Sequence, residues 1–233
     1  MLSSEVKLPE RYSEPWQAAF QEQALRAAGP NCRILDIGSG RSPSLPRNML
    51  PPGGHYAGFD LSLQELEKAP DGSYDEIIVG DVAITNDLLI GKYDLAVSWC
   101  VLEHVSDLAA TISNIRLYLK PGGVFVTQFS GKFSAHGIVN MILPVNVGRW
   151  FLKRLLHRDL EKVFPAYYDA CYYSKLLDIT SQWDKVEITP RYRGASYFMF
   201  SNIMLELYVR YEDYIRKNDF RNMATHYLII CRK

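Results

Sequence analysis

Residues 34 to 40 read I-L-D-I-G-S-G. An apolar run that collapses into an acid and two glycines constrains the fold more than any other stretch of this chain. Residues 33 to 37 read as a buried parallel strand, because strands covered on both faces lose the alternation of half-exposed ones. Glycines at its end remove side chains where the backbone must pass close to something. A strand ending in such a turn offers bare N–H groups to a ligand, most often a nucleotide-like one. An ordinary turn from strand to helix is also open at this point. The third glycine of a dinucleotide site is absent, with Ser42 and Pro43 in its place, and the segment from Arg41 to His55 has room for only a short helix. A diphosphate seated on a long helix N-terminus is therefore disfavoured, and with it a nicotinamide-dependent oxidoreductase.

Further short apolar runs follow at Tyr56–Phe59, Glu76–Val79, Tyr93–Trp99 and Val124–Phe129. Between the last two, Leu108, Ile112, Ile115 and Leu119 fall at helical spacing, and Lys120-Pro121-Gly122-Gly123 is expected to stop that helix. Another helix is expected over Trp16–Ala28, bounded by Pro15 and by Gly29-Pro30. Strands alternating with helices imply a parallel sheet with right-handed crossovers. Lys185–Thr189 and Thr225–Cys231 read as closing strands, with a helical pattern over Phe200–Lys217 between them. The expected fold is a doubly wound, Rossmann-like α/β domain. Its seven-stranded sheet is mostly parallel with an antiparallel last strand, and helical insertions follow strand 5 and separate strands 6 and 7. The whole chain is expected to be one domain: a helical cap over 1–30, a core over 31–130, a lid over 131–180 and closing elements over 181–233.

Two acids stand at strand ends. Asp60, in F-D-L-S, lies about twenty residues beyond the glycine turn, where a carboxylate can accept both hydroxyls of a ribose. Its alternative use, capping the next helix, can be met by Ser62 instead. Asp81, in G-D-V, follows the third strand, where it can accept from an exocyclic amine while Val82 backs a ring. S-W-C-V-L-E-H-V closes the fourth strand, and Y-L-K-P-G-G-V-F-V opens the fifth.

Taken in order, these five segments resemble the class I S-adenosylmethionine-dependent methyltransferases, over residues 33 to about 130 with closing strands near 185 and 228. The resemblance implies S-adenosylmethionine as cofactor and S-adenosylhomocysteine as product. It implies that Asp36 orders the glycine loop and contacts the cofactor's amino-acid end, directly or through water. Gly38 and Gly40 would admit the methionine moiety, Asp60 would hold the ribose, and Asp81 and Val82 the adenine. Trp99 or Cys100 would line the floor beneath the sulfonium, and Ser39 and Leu61 complete the cofactor set. The chain departs from the family pattern at Arg41-Ser42-Pro43, where many members carry another glycine.

The acceptor is expected to be a small molecule, such as a glycan, lipid-linked or secondary-metabolite intermediate, methylated on oxygen rather than nitrogen. Lys+Arg and Asp+Glu number 26 each, so no global field draws in nucleic acid, and the Asn/Asp-Pro-Pro-aromatic element of exocyclic-amine methylation is absent. His104 and His136 are the candidate general bases. Tyr167, Tyr168 and Tyr172 read either as a pocket wall with polar tips or as core packing. Arg193 and Tyr197 are expected to face the cleft, Arg193 suiting a carboxylate or phosphate on the acceptor. Residues 138–158 combine apolar and basic side chains, open to reading as an ordinary amphipathic helix, a lid or a peripheral membrane contact. The helix at 200–217 is expected to cover the sheet or to form a homodimer face. Four scattered cysteines without a CxxC pair point to a reducing compartment and to no metal site, and the polar N-terminus to the cytoplasm. A cofactor-binding protein without turnover, acting as a regulatory or scaffold subunit, is the alternative function.

Overall fold

The computed structural model describes residues 7–135, 137, 138 and 166–233. His136 and residues 139–158 of the amphipathic stretch lie outside the described residues. Seven strands build the sheet: Arg33–Ile37 (β1), His55–Asp60 (β2), Glu76–Val79 (β3), Tyr93–Trp99 (β4), Leu119–Ser130 (β5), Lys185–Arg191 (β6) and His226–Arg232 (β7). Their order is β3-β2-β1-β4-β5-β7-β6. β1 to β5 run parallel, and β7 is antiparallel to both β5 and β6. The chain winds outward from β1 through β2 and β3, then returns to continue on the other side with β4. That reversal opens a crevice at the carboxyl ends of β1 and β4, the place where such sheets bind ligands.

Five helices accompany the strands: Ala18–Ala27 (α1), Leu63–Glu67 (α2), Leu108–Tyr118 (α3), Tyr173–Ile179 (α4) and Asn202–Lys217 (α5). The two faces of the sheet are read off alternate residues of each strand. Ile34, Leu95, Val97, Val124 and Val126 pack under Phe20 and Ala24 of α1. Leu35, Ile37, Ala96, Phe125 and Phe129 pack under Leu108, Ile112, Ile115 and Tyr118 of α3. Each fully buried leucine or isoleucine contributes about 1.5–3 kcal/mol, so the central strands are held from both sides, as their unbroken apolar runs require.

Between β1 and β2 there is only a 3-10 turn, Arg47–Met49, and α2 has five residues, in line with the short linkers. Ser62 caps α2, its hydroxyl accepting from the Glu65 amide. The K-P-G-G segment departs from expectation. The helix does end at Tyr118, but β5 starts at once at Leu119, which pairs with Tyr93 before the register shifts. Gly122 takes φ +78°, and its amide donates to the Lys233 carbonyl while the Lys233 amide donates to Gly123. The turn chemistry thus builds an irregular strand start tied to Lys233. No described helix is long and apolar enough to cross a membrane.

Candidate functional site

The glycine turn leaves β1 at the crevice. Gly38 has φ +68° and Gly40 φ +45°, a region that side-chain-bearing residues rarely enter. A Cβ at Gly38 would stand 2.3 Å from Val101 Cγ1, and one at Gly40 would stand 3.3 Å from the Asp60 carboxylate. Part of what lies so close to this backbone is therefore the protein itself: the segment after β4 and the acid at the end of β2. Gly38 also donates its amide to the Phe59 carbonyl at 2.7 Å, which keeps the turn flush with β2.

Asp36 is fully buried one residue before the strand ends. Its Oδ2 accepts from the Ser44 amide at 2.7 Å and the Tyr56 hydroxyl at 2.5 Å, and its Oδ1 from the Ser44 hydroxyl at 2.6 Å. Burial raises its pKa to about 6, against the pull of those donors. Asp36 therefore orders the loop by drawing Ser44 back onto the strand. Both its oxygens are engaged inside the protein, so in this arrangement it acts through the loop. The loop is also fastened from outside. Arg41 forks the Glu65 carboxylate at 2.6 and 2.7 Å, and the Tyr74 hydroxyl donates to the Gly40 carbonyl at 2.9 Å. The hydrogen bond from Arg41, helped by Lys68, holds the Glu65 pKa at about 2. Ser39 is buried within the turn.

Asp60 stands half-buried at the end of β2. Its Oδ1 accepts from the Ser62 amide at 2.9 Å, and the Gly40 and Leu61 amides lie close enough to favour its charged form. Burial raises its pKa, partly offset by these amides. One carboxylate thus joins the glycine turn to the start of α2 and faces the crevice between them. Leu61 beside it is 73% exposed, an apolar side chain with no protein cover on the same rim. Asp81, after β3, is exposed and accepts the Ala83 amide at 2.9 Å. Val82 is buried in the α3-side core, and its carbonyl accepts from Asn114 Nδ2 at 2.9 Å. Asn114 also accepts from Thr85 at 2.7 Å, and the Tyr118 hydroxyl accepts from the Asn86 amide at 3.0 Å, so α3 fixes the β3 exit through two side chains.

At the end of β4, Trp99 turns toward α1, edge-on to Trp16 at 5.9 Å and tilted on Phe20 at 5.0 Å. Cys100 has φ +55° and donates its amide to the Gln128 carbonyl at 2.7 Å; its side chain is half-buried. His104 ends the 3-10 turn Leu102–His104 and is half-buried. Its neighbour Glu103 is buried, accepts the Ser130 amide at 3.2 Å, and has its pKa raised by burial. The Glu103 carbonyl receives the amides of both Tyr167 and Tyr168.

The tyrosines divide. Tyr168 lies in the core, so packing accounts for it, whereas Tyr167 is 61% exposed. Tyr172 is half-buried and tilted on Phe133 at 5.1 Å. Tyr197 sits half-buried on the turn Ala195–Phe198. Arg193 is 9% exposed, beneath Tyr12 and Trp16. Among the described residues no group of three or more His, Cys, Asp or Glu is placed to hold a metal ion.

The methyltransferase-domain family model matches residues 8–170. The ubiquinone biosynthesis O-methyltransferase of Paraburkholderia phytofirmans is 34% identical over 132 residues, covering 53% of this chain and 53% of that protein. That of Aromatoleum aromaticum is 30% identical over 113 residues, covering 45% and 47%. The chain spans about half the length of these curated relatives. Among solved structures, an S-adenosylmethionine-dependent methyltransferase from Mesorhizobium loti superposes with a TM-score of 0.54 at 17% identity, over 92% of this chain and 98% of that one. Haemonchus contortus phosphoethanolamine N-methyltransferase 2 gives 0.53 at 17% identity, over 94% and 52%. At such identity the structural likeness carries the fold, and it agrees with the sheet order and the antiparallel β7. With most of its length matched by the family model, the chain belongs to the methyltransferase-domain family, in its class I, Rossmann-like form.

Proposed function

We propose that the chain is an S-adenosylmethionine-dependent methyltransferase acting on a small-molecule acceptor, with oxygen favoured over nitrogen. The observation that carries the proposal is Asp60, a carboxylate shared by the glycine turn and the start of α2 at the switch point of the sheet. The residues fit an adenosyl amino acid. Asp60 can accept ribose hydroxyls with lone pairs its amide donors leave open. Leu61 and Ile84, 73% and 68% exposed, offer apolar cover for a purine, and the exposed Asp81 carboxylate can accept from its amine. Gly38 and Gly40 keep the turn bare for the amino-acid end, with Ser39 between them.

When bound, S-adenosylmethionine supplies an electrophilic sulfonium methyl. The protein's part is to orient an acceptor in line with it and to exclude water. The end of β4, with Trp99 and Cys100, forms the near wall. A hydroxyl acceptor must lose its proton, and His104, just beyond β4, is the described candidate to take it. Two curated relatives carry names of O-methyltransferases, which supports oxygen as the acceptor atom.

The test is transfer of a labelled methyl group from S-adenosylmethionine to a low-molecular-weight cell extract. Labelled product is expected with the wild-type protein and is expected to fall at least about 10-fold with Asp60→Ala at subsaturating cofactor, since a charged hydrogen bond is worth roughly 1.5–3 kcal/mol. No labelled product from a folded, cofactor-binding sample would favour a scaffold role without turnover.

A further inference from the structure

Two arginines with one residue between them enter the interior at the end of β6. The Arg191 side chain is 13% exposed, and Arg193 is 9% exposed. A guanidinium taken from water needs acceptors or an anion around it. Elsewhere in the molecule that need is met: Arg11 pairs with Glu212 and Asp213, and Arg41 forks Glu65. At Arg193 it is not. Its Nη2 donates to the Glu14 carbonyl at 2.7 Å and, at 3.5 Å, to that of Tyr12. Its guanidinium lies over the rings of Trp16 and Tyr12 at 5.5 and 5.8 Å. Nε and Nη1 are buried without a hydrogen-bond partner, and no described carboxylate pairs with it. Arg191 has only Glu14 at 3.8 Å, a residue whose side chain is 64% exposed, and its Nε is likewise unpartnered. Each cation sits within the other's field, and burial first, then Arg193, lowers the Arg191 pKa.

The location adds the second observation. Ser130, His226 and Arg191 lie side by side across β5, β7 and β6, so their side chains share one face at the carboxyl end of the sheet. Gln128, two residues before Ser130 on that face, pairs in register with Trp99. It is fully buried, yet neither its amide nitrogen nor its amide oxygen has a partner. Trp16 links the group, touching Trp99, His226 and the Arg193 guanidinium. Unpaired donors from three side chains thus gather one tryptophan away from the end of β4, on the side of the crevice opposite Asp60 and Asp81.

We propose that Arg191 and Arg193 form an oxyanion seat and that the methyl acceptor is an acid, carrying a carboxylate or phosphate that docks against both guanidinium groups beneath Trp16. The nucleophilic end of that acceptor then points toward the end of β4, and Gln128 donates from its amide nitrogen at the inner side of the seat. The word acceptor rests on the methyl-transfer reading; the seat itself does not. The chain has no net charge to attract acids in general, so selectivity for an anion must come from such a local arrangement.

The experiment is calorimetric titration of the cofactor-free protein with inorganic phosphate and with 4-hydroxybenzoate, at ionic strength held constant with chloride. Saturable binding of at least one is expected, phosphate alone marking a phosphorylated acceptor and benzoate alone a carboxylic acid. Arg191→Met and Arg193→Met are each expected to weaken it by roughly 10-fold or more, the factor carried by one charged hydrogen bond. Arg191→Met is also expected to match or exceed the wild-type Tm without anion, because it removes a buried like-charge neighbour, and to lose the rise in Tm that the anion gives the wild type. A purely structural arginine would instead lower Tm and leave anion binding alone. If Arg193→Met does not fold, Arg191→Met carries the comparison. Absence of saturable binding by the wild type, or wild-type affinity in the folded variants, would overturn the seat. A parallel titration with S-adenosylhomocysteine separates the two ideas: its failure would count against methyl transfer, and anion failure with intact cofactor binding would count against the seat alone.

Discussion

A single added methyl group at Gly38 would meet Val101 Cγ1 at 2.3 Å in a backbone with φ +68°. Gly38→Ala is therefore expected to lose roughly 2 kcal/mol or more, from overpacking and backbone strain together. Val101→Ala in the same chain should recover much of the packing part, leaving the Val101 Cβ at 2.9 Å and the backbone strain, and urea denaturation of the two single variants and the double variant measures that coupling. Asp36 gives a second prediction. Its folded pKa, raised by burial to about 6, exceeds the ordinary carboxylate value. The stability it contributes is then fully present below about pH 4 and lost as pH rises through about 6, by about 3 kcal/mol in all. Stability measured across pH 3–7 should fall by that amount more in the wild type than in Asp36→Asn; parallel curves would contradict the assignment. An acid inside an apolar strand announces that buried donors must exist, so this need is legible in I-L-D-I. Which donors answer it is not. Ser44 and Tyr56 are identified only by a loop path and a strand register, and Val101 is invisible for the same reason.

Elements were easier to read than their neighbours in space. The limits of β3 and β4 agree with the apolar runs: β3 stops before Gly80, and β4 stops before Cys100, whose φ of +55° leaves the extended region. α3 starts at Leu108, the first residue of its periodicity, because Asp107 caps it through the Ala110 amide at 2.9 Å, a bond that competes with further helix. β5 starts earlier than its apolar run, because pairing with Tyr93 and Lys233 overrides turn propensity. α3 carries two tasks on different residues. Ile112→Ala should cost about 2–5 kcal/mol by leaving a cavity in the core it shares with β5. Asn114→Ala should instead free the Val82 carbonyl and Thr85 and weaken S-adenosylhomocysteine binding more than it lowers Tm. Equal loss of both, as in a global destabilisation, would remove Asn114 from the cofactor site.

Across the whole molecule, alternating strands and helices made the doubly wound sheet legible, and the ordered strand-end motifs marked the side of the crevice here proposed for the cofactor. The opposite side was not, because it is assembled from distant segments. Its clasp is Glu212, fully buried on the apolar stripe of α5 with Leu205, Tyr208, Val209 and Ile215. Its carboxylate accepts from Arg11 and Tyr12, from the Gly194 amide at 2.7 Å and from Thr225 at 2.9 Å, tying the N-terminal segment to the β6–α5 and α5–β7 connections. A glutamate at a core position of a helix is a visible anomaly in the sequence, though its partners are not. Glu212→Ala should cost about 3–5 kcal/mol, since it breaks a buried charged hydrogen-bond network and leaves the buried Gly194 amide without its acceptor, and should expose residues 7–17 to limited proteolysis before the sheet unfolds. The most direct test of the central claim remains calorimetric titration of the purified protein with S-adenosylmethionine and, separately, S-adenosylhomocysteine. Micromolar binding that weakens roughly 10-fold or more in a folded Asp60→Ala variant is the predicted result. A folded wild-type protein that binds neither, or an Asp60→Ala variant that binds equally well, would contradict the assignment of this crevice to the cofactor.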